Sequence, residues 1–256
     1  MSFYLATLAV YMVIYALGAW ALNLQFGLGG IVNFAFIVFE SIGAYAAAIT
    51  SLGRTGALTG QTYFWGASWP FPLPLIAGAA AGGLLALIVG PATMRKMRRD
   101  YQAAAMLVFA LIADQVITND THLFNGAAGL AGVQQPLSSS LGLSLGFYDW
   151  LFVIFAAMIG VAAYLMFRRI SLSPLGRTLR ALRDDEEAAS AVGKNAWAMR
   201  MTVFVVGGAV AGLAGALLID FIGAWSPAAW SYQETFLLLV AIILGGVGND
   251  RGVFLG

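Results

Sequence analysis

No cysteine occurs in the 256 residues, and His122 is the only histidine. Disulfide frameworks and thiolate chemistry are therefore excluded. A metal site or a histidine-dependent catalytic site would have to be built almost wholly from carboxylates, so neither is expected. Charge is scarce as well. Asp, Glu, Lys and Arg make up 10% of the chain, against about 25% in soluble domains. The first ten residues, MSFYLATLAV, contain no Lys or Arg. The basic n-region of a cleaved signal peptide is missing, and the first span is expected to stay in place. No G-x-x-x-x-G-K-[ST] motif occurs, so the chain does not bind ATP through a P-loop. Energy for any transport must come from a partner or an ion gradient. No bound cofactor and no nucleic-acid partner are expected.

Apolar surface is what the chain has in excess. Hydrophobic residues make up 61% of it, and its mean hydropathy is +0.85. One globular core could not absorb that much apolar surface. The expected fold class is all-α, a polytopic transmembrane helical bundle forming one domain over residues 1–256. About seven hydrophobic segments are expected, over 3–22, 31–52, 73–93, 101–118, 150–167, 198–221 and 236–247. The early part is interrupted. Asn23, Gln25, Gly27, Gly29 and Gly30 stand where an apolar helix would otherwise continue. Amides and glycines at that depth are tolerated where backbone faces protein or a water-filled cavity. Residues 23–33 are therefore read as a broken or re-entrant helix. In 73–93, Gly78, Gly82, Ala86 and Gly90 recur every four residues, the small-residue pattern of close helix packing in lipid.

Charge distribution sets the expected topology. Of 13 Lys and Arg residues, Arg95, Lys96, Arg98 and Arg99 fall in one loop. Arg168, Arg169, Arg177, Arg180, Arg183, Lys194 and Arg200 fall in or beside another. The positive-inside rule places both loops in the cytoplasm. Loops 53–72 and 119–148 then face outward. The orientation of the N-terminal segment stays open, because a full crossing and a re-entrant turn at 23–33 predict opposite sides.

The stretch 168–197 is the main polar island. Ser173-Pro174 has the form of a helix start, with Ser as N-cap and Pro at the first position. Gly193 suits a C-terminal stop. Leu175, Leu179, Leu182, Glu186 and Ala189 lie on one stripe, and Arg177, Arg180 and Arg183 on another. The expectation is an amphipathic cytoplasmic helix or helix pair. Lying on anionic headgroups would account for the arginines. It does not account for the consecutive acids Asp184, Asp185, Glu186 and Glu187, which favour a protein partner.

Three regions carry a resemblance to a known family. LSPLGRTLRALRDDEEAASAVGKNAWAMRMTVFVVGGAVAGLAGALL resembles the cytoplasmic loop and following helix of branched-chain amino acid ABC permeases. ALGAWALNLQFGLGGIVNFAFIVFESIGAYAAAI and SYQETFLLLVAIILGGVGNDRGVFLG are similar to the family's N-terminal and final motifs. The S-P-x-G-R layout points to the LivM-like branch over the LivH-like one. The resemblance implies that Ser173, Pro174, Gly176, Arg177, Ala181, Arg183, Asp184, Asp185, Glu186, Ala188, Ala189 and Gly193 dock on a separate ATPase subunit. It implies partner ATPases carrying ATP and Mg, a second permease subunit (heterodimer or homodimer) and an external substrate-binding protein. It also implies location in the inner membrane of a bacterial or archaeal cell, with membrane lipid around the bundle. Branched-chain amino acids, or a related small amino acid or amide such as urea, are the implied substrates. The family usually continues for roughly another helix past its final motif, whereas the sequence ends at Gly256, as a truncated product or a divergent member would. Asn23, Gly27, Gly30, Asn33, Phe36, Glu40 and Gly43 are the expected substrate path.

The chain departs from the family at Ala35-Phe36, where Gly-His is common, and at Glu40, where an apolar residue is common. A carboxylate within a span costs at least about 2.5–3.5 kcal/mol at the bilayer centre, which makes it a functional candidate. Glu40 could meet a substrate ammonium group on the permeation path. It could instead make an interhelical hydrogen bond or sit near enough to the interface to be solvated. Asp114 and Asp220 fall nearer span ends and are read as structural. The alternative function is a secondary active transporter driven by an ion gradient, with Glu40 as the coupling site.

Overall fold

A computed structural model describes residues 2–53, 60–94, 99–133, 135–136, 145–191, 193–229 and 231–256. Arg95, Lys96 and Arg98 of the first basic loop, and 137–144 of the long polar loop, lie outside the described residues, as do 54–59.

The fold is an all-α polytopic bundle. Helix α1 (Ser2–Asn23) runs without one charged residue and passes into a π-helical turn, Leu24–Leu28. The chain is then non-helical until α2 (Phe36–Ser51). Next come α3 (Leu73–Met94), α4 (Arg99–Asn119) and α5 (Leu145–Leu172). The polar island forms two short helices, α6 (Pro174–Asp184) and α7 (Glu186–Ala191). Helices α8 (Ala196–Ile222), α9 (Tyr232–Gly245) and α10 (Gly252–Leu255) complete the bundle. Among the described residues, five helical stretches are long and apolar enough to cross a membrane, and α2 and α9 are shorter apolar helices. The seven expected segments are all present.

Helix α2 starts later than the expected residue 31. Gly30 takes φ +64, which turns the chain out of helix. The Asn33 side-chain oxygen then accepts from the Ala35 amide at 3.1 Å. That local bond competes with helix formation, so regular helix begins at Phe36. At 16 residues, α2 is about 24 Å long, less than the ~30 Å of a hydrocarbon core. Residues 29–35 supply the rest of that crossing.

The centre of the bundle is the crossing of α2, α3 and α8, where glycine lets backbones touch. A Cβ on Gly82 would lie 2.2 Å from the Gly208 carbonyl, and one on Gly212 would lie 2.3 Å from that of Gly78. A Cβ on Gly43 would lie 2.2 Å from Gly212 Cα. These are small-residue contacts of the kind that replace the hydrophobic drive between helices in lipid. The glycine row of 73–93 thus packs α3 on α8, and Gly90 backs onto Met201 in the same way.

The bundle has two distinct ends. At one, 60–72 meets 119–133. Thr62 N–H donates to the Asn125 side chain at 3.1 Å, and Ala131 N–H to the Gln61 side chain at 3.1 Å. The two-residue strands β1 (Leu130–Ala131) and β2 (Ala224–Trp225) pair antiparallel beside them, with Leu130 opposite Trp225. The last turn of α2 joins this end through Trp69 N–H to Thr50 C=O, 2.8 Å. At the other end lie α6, α7 and the start of α8. The described parts of the two loops expected to face outward therefore share one end, opposite the polar island. Helix α1 runs parallel to α5: the Trp20 and Tyr164 rings meet at a tilt, centroids 5.2 Å apart, and Val13 lies beside Gly160. Its Ser2 end therefore lies at the end of those loops, and its π turn reaches the α6 end. Residues 29–35 carry the chain back into the bundle as half of a discontinuous crossing.

Candidate functional site

The polar island is built by local rules. Ser173 Oγ accepts from the Gly176 amide at 3.3 Å, and Pro174 occupies the first helical position. Gly176 is tight against the backbone of α5, where a Cβ would lie 2.4 Å from the Ile170 carbonyl. Leu179 and Leu182 are fully buried against the bundle. Asp185 is extended (φ −148, ψ 106) and ends α6. The single stripe expected from Leu175 to Ala189 is therefore split. Glu186 and Ala189 belong to α7, and Glu186 pairs with Arg200 of α8, Nη1 to Oε2, at 2.7 Å. Gly193 takes φ +80 and closes the pair, donating to Ser190 C=O at 2.9 Å.

Of the twelve expected docking residues, Pro174, Arg177, Ala181, Asp184, Asp185, Glu186, Ala188 and Gly193 are exposed. Ser173 and Ala189 are half-buried and Gly176 is buried. Arg183 points the other way. Its Nη1 donates to the Gly27 carbonyl at 2.6 Å, and its Nε contacts Asp184 at 3.3 Å. Gly30 lies under the same side chain, its Cβ position 3.0 Å from Arg183 Cγ. Arg180 folds back onto α5, Nη2 to Ser171 C=O at 2.6 Å. The arginine stripe is thus partly a set of ties to the bundle, and the acids and Arg177 form the exposed edge.

The expected path residues are held by packing and hydrogen bonds. Asn33 Nδ2 donates to Gln25 Oε1 at 2.9 Å, and Gln25 Nε2 donates to Phe204 C=O at 3.1 Å. Both amides are fully buried. Gly207 leaves room for the Gln25 side chain, whose Nε2 would be 2.4 Å from a Cβ there. Asn23 Oδ1 accepts from Gly248 N–H at 2.9 Å. Gly27 is enclosed by Asn23 and Gly248. Phe36 is fully buried beside Gly18. Asn23, Gln25 and Asn33 thus satisfy backbone and one another where the helix breaks.

Two short helices meet at their N-terminal ends inside the bundle. The Ile37 amide of α2 donates to Thr235 Oγ1 of α9 at 3.2 Å, and Thr235 is fully buried. The first amides of a helix have no intrahelical partner, so this hydroxyl caps α2 from across the fold. Discontinuous helices meeting within a bundle are a recurrent way to build substrate and ion sites in transporters. Glu40 lies one turn further on, 3% exposed, with Gly215 against its backbone. No hydrogen bond to its carboxylate occurs among the described residues. Glu234 is near enough for its charge to act on Glu40, and Tyr15 OH donates to Glu234 at 3.4 Å.

A small cavity opens on the other side of α2. Ile37, Ser41, Tyr45, Asp114, Trp225 and Tyr232 are among its lining residues, and its volume is about 20 Å³, room for about one water. Tyr45 is 1% exposed, and its hydroxyl has no hydrogen-bond partner among the described residues. None of the expected path residues lines this cavity. Ser41, Tyr45 and Thr235 gave no sequence signal of their own, being ordinary residues of apolar helices. Asp114 had been read as structural, and it faces this cavity. Among the described residues no group of three or more His, Cys, Asp or Glu could hold a metal.

Comparison with known proteins adds the relationship. The chain is 29% identical over 271 residues to the high-affinity branched-chain amino acid transport system permease protein LivM of Escherichia coli, covering 98% of this chain and 60% of that one. It is 28% identical to a probable LivM of Methanocaldococcus jannaschii, covering 95% and 75%. It is 27% identical to LivH of Escherichia coli, covering 94% and 78%. The chain thus spans about 60% of the length of the bacterial LivM proteins it matches. No solved structure matches it. The profile of the family described as "Branched-chain amino acid transport system / permease component" matches residues 4–256, and the chain belongs to that family.

Proposed function

We propose that the chain is a membrane-spanning permease subunit of an ATP-driven importer for branched-chain amino acids. The observation that carries this reading is the family match over 4–256. The α6–α7 pair, with its exposed acidic edge, is the contact for a cytoplasmic ATPase. ATP and Mg belong to that subunit, since this chain has no P-loop. A second permease subunit, as heterodimer or homodimer, completes the path. An external binding protein delivers substrate to the end formed by 60–72 and 119–133. The setting is the inner membrane of a bacterial or archaeal cell. The relatives named for branched-chain amino acid transport support the substrate class. Urea and related amides are the competing candidates. Closure of the ATPase pair moves α6, and the break at 24–35 lets the bundle respond. Glu40 and the meeting point of α2 and α9 lie on the permeation path.

The test is reconstitution with the ATPase, second permease and binding-protein genes that neighbour this one. ATP-dependent uptake of labelled leucine, isoleucine or valine into proteoliposomes supports the reading. Competition by urea would change the substrate assignment. Uptake that needs no ATP and follows a proton gradient would overturn the importer and favour the secondary transporter.

A further inference from the structure

The turn between α9 and α10 carries one acid, Asp250. Its carboxylate bridges two separate parts of the bundle. Oδ1 accepts from Asn23 Nδ2 at 3.3 Å, and Oδ2 accepts from Ser171 Oγ at 2.9 Å. Its backbone carbonyl accepts from Trp20 Nε1 at 2.8 Å. Asn23 is the last residue of α1 before the π turn, and its own oxygen holds Gly248 of the same 246–251 turn. Ser171 lies two residues before the N-cap of α6. Its carbonyl takes the Arg180 guanidinium from within α6.

The turn itself is tightly fitted. A Cβ on Gly252 would lie 1.8 Å from the Gly245 carbonyl, and Gly246 and Gly248 take positive φ. Asp250 is therefore presented at a set position. Three chain segments far apart in sequence converge on one carboxylate: the end of α1, the end of α5 and the α9–α10 turn. Arg183 makes the second tie, from the far end of α6 to Gly27 inside the π turn. The polar helix is thus joined to the helix break at both of its ends. Movement of α6 relative to α1 must either carry the break with it or open these bonds.

We infer that Asp250 is a positioning residue that transmits displacement of the α6–α7 helix pair to the broken α1–α2 crossing. Two oxygens are needed because two donors, an amide and a hydroxyl, must be held at once. Asparagine at this position keeps the size and one acceptor for Asn23 Nδ2, but turns an amide donor toward Ser171 Oγ and reverses that hydrogen bond. The charge that strengthens both bonds is lost as well.

This inference rests on the importer reading, and the experiment separates the two. The assembled complex, with ATPases, second permease and binding protein, is reconstituted as wild type, Asp250→Asn, Ser171→Ala and the double variant. Assembly is read by co-purification of the ATPase, and coupling by substrate transported per ATP hydrolysed. The expected result is intact assembly and ATP hydrolysis with at least a ten-fold loss of transport per ATP in Asp250→Asn. A smaller loss is expected in Ser171→Ala. Because both variants cut the same tie, the double variant should be no worse than Asp250→Asn alone. Asp250→Glu should restore part of the coupling. Wild type that couples while Asp250→Asn couples equally overturns the inference and leaves the importer reading standing. Loss of ATPase co-purification in both single variants also overturns it, because the role is then structural. Absence of ATP-driven uptake in wild type overturns the importer reading, and the inference with it.

Discussion

The Arg183 guanidinium donates to the carbonyl of Gly27 at 2.6 Å, across 156 residues of chain. One partner belongs to the polar helix at the end of the bundle. The other lies inside the π turn that interrupts the first crossing. The contact makes α6 part of the bundle as well as a surface for a partner. Because this arginine is about one-third exposed, water competes for the bond. Arg183→Ala is therefore expected to cost about 1 kcal/mol, below the ~1.5–3 kcal/mol of a fully shielded charged hydrogen bond. Thermal unfolding of the detergent-purified chain measures it. Arg183→Lys should recover less than half of that loss, because a single ammonium replaces the planar fork.

The exposed acidic edge of α6–α7 leads to a different outcome. Asp184 is 69% exposed, and Asp185 caps the start of α7 by accepting from Ala188 N–H at 3.0 Å. Reversing both charges to Lys should release the ATPase or uncouple its hydrolysis from transport. Membrane insertion should be unchanged, because no span is touched. Pulldown of the ATPase by the solubilised variant is the measurement. If assembly and uptake both survive, this edge is not the docking surface.

Glycine substitutions at the α3–α8 crossing should divide sharply. At Gly212 an added Cβ meets the Gly78 carbonyl at 2.3 Å, whereas at Gly83 the nearest atom is Ala209 Cβ at 3.4 Å. Gly212→Ala must push two backbones apart, and is expected to cost about 1–3 kcal/mol. Gly83→Ala meets ordinary van der Waals contact and gains up to about 1 kcal/mol of helix propensity. Melting temperatures in one detergent compare the two directly.

Thr235 tests the meeting of the short helices. Thr235→Val keeps the shape but leaves the Ile37 amide without its acceptor, at an expected cost of about 1–3 kcal/mol. Thr235→Ser keeps the hydroxyl and should lose much less. A valine variant as stable as wild type would mean that water or another group serves Ile37.

For Glu40, the decisive change is Glu40→Gln assayed by uptake. Reduced uptake at unchanged expression is expected if the carboxylate meets the substrate ammonium. Equal uptake removes Glu40 from the mechanism and leaves it a packing role beside Gly215.

Much of the architecture was legible in the residues. Seven apolar segments appeared where hydropathy placed them, because a spanning helix must satisfy its own backbone. Ser173-Pro174 began a helix and Gly193 ended one, because capping depends on residues within one turn. The glycine row at 78, 82 and 90 packed on a neighbouring helix, as small residues do in lipid. The interruption at 23–33 was visible from its amides and glycines, although α2 starts only at Phe36. That delay follows from the Asn33–Ala35 bond and the backbone turn at Gly30.

By itself, then, the sequence determined the class, the spans, the clustering of cations and the local helix ends. All of these depend on composition or on neighbours along the chain. Tertiary structure alone decided what each buried polar group touches. It turned Arg183 inward to Gly27, gave Asn33 to Gln25, set Thr235 over Ile37, and brought Asp250 to both Asn23 and Ser171. It also resolved the direction of α1, which charge counting left open, by laying that helix parallel to α5. The physical reason is the same in each case. A hydrogen-bonding side chain declares that it needs a partner, but which partner it meets depends on segments that only the folded bundle brings within hydrogen-bonding distance.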